Sequence, residues 1–170
     1  MKSDRSLSSN LQHRRIAAGL LAMAAALPVI ALGAANDSYT WSAELVAVDE
    51  QARIVTVQSR LVSNAEVDFA SLDSGDRVTL TWSGIDTAAG VRRIVKGAAP
   101  EDDRLTLPIE FVSAEHDNRY VRFKVQIPSD DVAKLAALEP GQWITATSPR
   151  RGARFEEAVA DVRPYTDVSR

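Results

Sequence analysis

The chain contains an internal repeat, which constrains the fold more than any other feature of the sequence. Residues 44–82 align with residues 110–148 without a gap, and ten of the 39 aligned positions are identical. The aligned glycines Gly75 and Gly141 mark a turn in both copies. The repeat therefore predicts two units of one design. Two β-rich segments of similar composition are the alternative.

Each unit has the pattern strand, strand, short helix, strand, strand. The clearest strand alternates apolar residues with polar ones over residues 119–127. Ser63-Asn64-Ala65-Glu66 has the Ser-x-x-Glu pattern of a capping box, and Ser129 takes the same place in the second unit, so each predicts a helix start. The predicted strands are residues 43–48, 53–61, 77–82 and 91–96 in the first unit, and 109–114, 119–127, a strand after Gly141 and 155–162 in the second.

This order of elements within about 60 residues suits a small, strongly bent sheet or partial barrel, and OB-like barrels are the nearest common architecture. We therefore predict a mainly β fold of two tandem OB-like units, each with one short helix, preceded by an N-terminal signal helix. A unit of this size is marginal alone, so the two should pack through a shared apolar face. The predicted boundaries are 1–35 for the signal, 36–97 for the first unit, 98–108 for the linker, 109–163 for the second unit and 164–170 for a frayed tail.

The first 35 residues have the composition of an export signal. Lys2, Arg5, Arg14 and Arg15 precede an apolar run from Ile16 to Ala35 that ends in small residues. This pattern predicts a cleaved signal and a periplasmic or secreted protein. The run is also long enough to span a bilayer, so an uncleaved anchor with the rest of the chain outside the cytoplasm is the alternative.

The charge of the remaining chain argues against nucleic acid as a partner. The whole chain has 20 Lys or Arg and 23 Asp or Glu, and residues 1–35 hold four of the bases and one of the acids. The remainder therefore has 16 bases and 22 acids, a net charge of −6. Phosphate contacts need a basic surface, which this composition does not supply.

The sequence carries no recognisable catalytic motif. Phosphate-binding loops, Gly-x-Ser-x-Gly and His-Glu-x-x-His are missing, and the absence of cysteine excludes disulfides and thiolate chemistry. His116 is the only histidine after residue 35, and it falls in a predicted hairpin turn that favours a solvated role. We therefore predict no catalytic residues, no metal and no cofactor. Carboxylate catalysis is the minor alternative, since acids meet in space rather than in sequence.

Positions at which the two units differ are candidates for a specific task. Alternation places Tyr120, Arg122 and Lys124 on the outward face of one strand. An aromatic ring beside two cations suits an anionic or sugar-like ligand, or a partner protein. An ordinary solvated strand face is the alternative. The candidate binding residues are Tyr120, Arg122, Lys124 and Trp143, and the basic residues Arg92, Arg93, Arg150 and Arg151 are secondary candidates.

The sequence thus favours an exported envelope or periplasmic module that binds a ligand or partner and has no catalytic function. Its expected partner is a protein or a small anionic or sugar-like ligand in the envelope. A membrane-tethered scaffold or assembly accessory protein is the first alternative, and contact with the membrane is expected only if the N-terminal segment stays attached. A carboxylate-based enzyme is the second alternative.

Overall fold

A computed structural model describes residues 37–84, 87–101, 103, 105–115, 117, 119–150 and 154–165. The predicted signal segment 1–35, His116 and Arg151 lie outside the described residues. Two 3₁₀ turns lie at Phe69–Ser71 and Phe155–Glu157. The strands and the helix are β1 (Ser38–Asp49), β2 (Ile54–Glu66), β3 (Arg77–Trp82), β4 (Val91–Lys96), β5 (Thr106–Glu115), β6 (Tyr120–Gln126), α1 (Ser129–Ala136), β7 (Trp143–Pro149) and β8 (Asp161–Pro164).

The eight strands belong to one sheet, in the order β4-β3-β5-β6-β2-β1-β7-β8. Neighbours in this order are antiparallel, and an additional parallel pairing joins β4 to β2, where Leu61 lies opposite Val91. The mainly β class is therefore confirmed. Two separate OB-like units are not confirmed, because strands of the two halves alternate: β3 pairs with β5, and β1 pairs with β7.

The pairing between the first strand of one half and the third strand of the other has the same register in both cases. In the β1–β7 pair Glu44 lies opposite Trp143, and in the β5–β3 pair Glu110 lies opposite Arg77. Glu44 and Glu110 are equivalent in the repeat, as are Arg77 and Trp143. The first strand of each half is thus paired with the third strand of the other half, in the same register both times.

The strands at the centre of the sheet, β2 and β6, also pair at equivalent positions of the repeat. In the β2–β6 pair Val57 lies opposite Phe123, which is its own equivalent in the repeat, so this pairing maps onto itself. The β1–β2 register skips Val46, and the β5–β6 register skips the equivalent Val112. The registers of the β1–β2 and β5–β6 pairs therefore match on the two sides of the β2–β6 pair.

The apolar faces of the strands enclose one core. Trp41 is 1% exposed and stacks on Trp82 with their ring centroids 5.6 Å apart. The indole Nε1 of Trp41 donates a hydrogen bond of 2.8 Å to the buried hydroxyl of Ser148. Ser148 is the equivalent of Trp82, so the core holds one large and one small residue at this pair of positions. The core is not divided between the halves.

The helix predicted for the first half is wrong, whereas the helix predicted for the second half is confirmed. Residues 63–66 continue β2, because this end of β2 pairs with β4 through Glu66 and Arg93. Helix α1 begins at Ser129, and the buried carboxylate of Asp131 accepts a hydrogen bond of 2.9 Å from the backbone N–H of Val162. This bond fixes α1 on β8.

Two other predicted boundaries differ from those in the structure. The strand predicted over 155–162 is replaced by a 3₁₀ turn, and β8 starts only at Asp161, where its pairing with β7 begins. The predicted linker is shorter than 98–108, since β5 starts at Thr106. Leu107, the second residue of β5, is fully buried, and residues 106–108 pair with β3.

Candidate binding groove

A groove of about 700 Å³ lies on the face of the sheet opposite the core, across β1, β2, β6 and β7. The segment 83–90 between β3 and β4 contributes one wall through Thr87, Ala88 and Gly90. A second groove of about 1120 Å³ continues from it toward Asp117 and Arg119. The larger side chains that line the first groove are Glu44, Gln58, Arg60, Tyr120, Trp143 and Tyr165.

Three aromatic side chains converge on this groove. Trp143 and Tyr165 are each 51% exposed, and they are the large hydrophobic side chains that the described part of the chain leaves exposed. The backbone N–H of Tyr165 donates a hydrogen bond of 2.9 Å to the carbonyl of Trp143, which holds the two residues side by side. Tyr120 at the start of β6 lines the same groove. Clustered exposed rings of this kind mark interaction sites on soluble proteins.

The wall of the groove is held by hydrogen bonds to the strands. The hydroxyl of Thr87 donates to the carbonyl of Thr40 over 3.0 Å, and the Nη2 of Arg60 donates to the carbonyl of Ala89 over 3.2 Å. Arg60 therefore closes one side of the groove while its guanidinium stays exposed to solvent. These contacts give the groove a formed wall in the free protein, as ligand pockets commonly have.

The structure brings together only two of the four predicted binding residues, Tyr120 and Trp143. Arg122 lies beside the groove, where its guanidinium is 3.3 Å from Glu115 Oε1 and also donates to Gln58. The Nζ of Lys124 lies 2.8 Å from Glu110 Oε1. Alternation placed both cations on the correct face, but the acids that neutralise them come from β5, whose pairing the alternation does not reveal.

The secondary candidates Arg92 and Arg93 serve an internal ion-pair cluster. Asp103 is 3% exposed, and its carboxylate is bound by both guanidinium groups and by the hydroxyl of Thr81 at 2.9 Å. Arg93 also pairs with Glu66, and this hydrogen bond raises the pKa of the Arg93 guanidinium. These cations therefore pin the segment before β5 to β3 and β4 rather than facing an anionic partner.

Arg150, a third secondary candidate, forms hydrogen bonds within the chain. Its backbone N–H donates to the carbonyl of Asp37, and its Nε donates to the carbonyl of Ser38 over 3.3 Å. Arg150 thus ties the end of β7 to the start of β1.

Sequence reasoning missed Glu44, Arg60 and Tyr165. Glu44 is identical in the two units, which assigned it to the common fold rather than to a specific task. Tyr165 falls in the predicted frayed tail, although its position one residue after β8 places it against β7. The aromatic character of Tyr165, in a tail otherwise poor in apolar residues, was the available signal.

On the equivalent face of the other half the aromatic ring, Phe155, is buried rather than exposed. Arg77 stands where the first face has Trp143, and the Phe155 ring lies over its guanidinium at 3.4 Å from the ring centroid. The acid Glu110 pairs with both Arg77 and Lys124. What remains there is a shallow cavity of about 370 Å³ between Arg77, Pro108 and Phe155. We call the face that leaves Trp143 and Tyr165 half exposed the open face, and the face on which the Phe155 ring is buried against Arg77 the filled face.

No protein family, no curated protein and no solved structure matches the chain. Within the described residues, no helix combines the length and the apolar character that crossing a membrane requires. The same part of the chain holds no group of three or more His, Cys, Asp or Glu side chains placed to hold a metal ion.

Proposed function

We propose that this protein is a non-catalytic binding module of the cell envelope, and that the groove lined by Tyr120, Trp143 and Tyr165 is its binding site. The observation that carries the proposal is the contrast between the two related faces. On one face the aromatic ring, Phe155, is 8% exposed and packs on the guanidinium of Arg77, whereas the equivalent face leaves the rings of Trp143 and Tyr165 51% exposed. An exposed apolar cluster inside a formed groove is the usual mark of a ligand or partner site.

The proposal includes a duplication followed by divergence. Equal registers at equivalent positions of the repeat, the self-equivalent contact of Val57 with Phe123, and the matched bulges support descent from one four-strand unit. Its halves are interleaved OB-like units rather than separate barrels. After duplication, one face kept an open groove, and on the other the ring of Phe155 became buried against Arg77.

The ligand class follows from what the groove offers. Arg122 and Lys124 are already paired with acids, so an anionic ligand gains little from them. Exposed rings beside polar side chains suit a protein segment or a sugar-like ligand. The basic and apolar N-terminal segment supports export to the periplasm or the medium. A membrane-tethered scaffold would use the same groove and would differ in retaining residues 1–35.

Binding to peptide and glycan arrays tests this proposal, with Trp143→Ala and Tyr165→Ala compared against the wild-type protein. We expect each variant to lose about tenfold or more in affinity, since aromatic side chains that become buried in a complex contribute most of the binding energy at such sites. Arg77→Ala is the matched control, because it changes the equivalent position on the filled face. Binding that survives both aromatic substitutions, or that Arg77→Ala removes equally, would overturn the proposal.

A further inference from the structure

The two related faces share an acid but not the cations that accompany it. Glu110 lies opposite Arg77 across the β3–β5 pair, and its carboxylate is 3.4 Å from Arg77 and 2.8 Å from Lys124. At the equivalent positions around Glu44 stand Trp143 and Gln58, both neutral. Within the described part of the chain, the Glu44 carboxylate forms no ion pair with a Lys or Arg side chain.

The aromatic component is present on both faces. On the filled face the guanidinium of Arg77 stacks on the ring of Phe155 and pairs with the carboxylate of Glu110. On the open face Trp143 lies directly opposite Glu44 in the sheet, and Tyr165 lies beside Trp143. The open groove thus has a half-buried carboxylate and exposed rings, but in the described part of the chain no cation joins the two as Arg77 does on the filled face.

We propose that the groove binds an arginine side chain of a partner protein, with its guanidinium held between the Glu44 carboxylate and the rings of Trp143 and Tyr165. This inference rests on the proposed binding function and names its ligand. Arginine fits because its planar guanidinium stacks on aromatic rings and offers a fork of donors to a carboxylate. The filled face shows this arrangement within the chain itself, through Arg77.

The occupant is a protein segment rather than a free small cation, for two reasons. The groove of about 700 Å³ continues into the one of about 1120 Å³, which is far more space than a guanidinium fills. On the filled face the ring that contacts Arg77 is likewise supplied by a short peptide segment, Phe155–Glu157. In the open groove Arg60 and Gln58 supply donors for the backbone carbonyls of such a segment.

The groove also holds a cation of its own, Arg60, which opposes a second positive charge. Its guanidinium is directed to the carbonyl of Ala89 by a hydrogen bond of 3.2 Å and forms no ion pair with Glu44. The residues of the chain beyond the predicted signal carry a net charge of −6, which favours encounter with a basic partner. Because Arg60 also contacts the wall of the groove, we expect Arg60→Gln to weaken the binding of an anionic ligand much more than the binding of arginine.

The test uses blocked heptapeptides that differ only at the central residue, which is arginine, lysine, citrulline or glutamate. The fluorescence of Trp143 reports occupancy, since Trp41 and Trp82 are buried. We expect the arginine peptide to bind about tenfold more tightly than the citrulline peptide, because a charge-assisted contact is lost in citrulline. Glu44→Gln should remove that difference, and the control Glu110→Gln should leave it intact, with circular dichroism confirming that both variants are folded.

The outcomes separate this inference from the function on which it rests. Equal binding of the arginine and citrulline peptides, or preference for glutamate, would overturn the arginine site and leave a binding groove. Failure of every array ligand and every peptide to engage Trp143 would overturn both. Loss of the arginine preference in Glu110→Gln but not in Glu44→Gln would place the cation on the wrong face and overturn the inference.

Discussion

One close backbone approach fixes the wall of the groove. Gly90 has a positive φ of 109°, and a Cβ at this position would lie 2.5 Å from the carbonyl oxygen of Arg60. Because that oxygen belongs to strand β2, neither side can withdraw without disturbing the sheet. The glycine therefore brings the end of the segment before β4 against β2, and this contact shapes the groove beside Arg60 and Tyr120.

Gly90→Ala should lower the free energy of unfolding by about 3 kcal/mol, since it adds a backbone clash to the cost of a positive φ. Urea denaturation measures the loss. Gly97→Ala is the control, because Gly97 also has a positive φ of 86° but no atom lies within 4 Å of its Cβ position. The control should lose only about 1 kcal/mol. Equal losses in the two variants would contradict the role assigned to the contact with Arg60.

Strands were predictable where the sequence alternates regularly, and the elements that failed depend on distant partners. The predicted ranges 77–82 and 91–96 coincide with β3 and β4. Residues 63–66 have the local pattern of a helix start, yet they extend β2 because β4 lies beside them. Nothing within a segment reveals such a non-local pairing. The interleaved strand order escaped prediction for the same reason.

Two turns at equivalent positions of the repeat end in different residues: the first has the titratable Asp76 and the second has Gln142. In the turn before β3, the Asp76 carboxylate accepts the backbone N–H of Asp73 at 2.9 Å and pairs with Lys96 at 2.7 Å. In the equivalent turn before β7, Gln142 Oε1 accepts the N–H of Glu139 at 2.8 Å. The hydrogen bond from Lys96 lowers the pKa of Asp76 below its ordinary value of 3.8, whereas an amide does not titrate.

Because the folded protein holds the Asp76 pKa below its unfolded value, this carboxylate contributes stability above pH 3.8 that is lost as the pH falls through the lowered pKa. Asp76→Gln, which copies the second turn, should therefore be less stable than wild type at pH 7. It should lose less in melting temperature between pH 5 and pH 2. Thermal unfolding at several pH values measures both effects. An identical pH dependence in the two proteins would show that Asp76 has no such role.

At the scale of the whole molecule, the interleaved strand order determines both how the two halves stabilise each other and where the groove forms. The sequence located Tyr120 and Trp143 as positions where the halves differ, and both line the groove. They line one groove because β7 pairs with β1, which places Trp143 opposite Glu44, and β6 pairs with β2, which places Tyr120 opposite Arg60. The groove is thus built from both halves, and neither half contains it. The repeat alone identifies equivalent residues but not which copy of a strand each will pair with.

Interleaving also predicts that neither half folds alone, since a chain cut between Ala98 and Ala99 separates β1 from β7 and β3 from β5. Each fragment loses the partner of its first and third strands and exposes the apolar face of the common core. We expect the separate fragments to be unfolded by circular dichroism. When co-expressed they should form a one-to-one complex, because β2–β6, β1–β7 and β3–β5 all cross the cut and Asp103 still reaches Arg92 and Arg93. Cooperative unfolding of either fragment as an isolated monomer would mean that each half can close on itself, as a separate OB-like unit would.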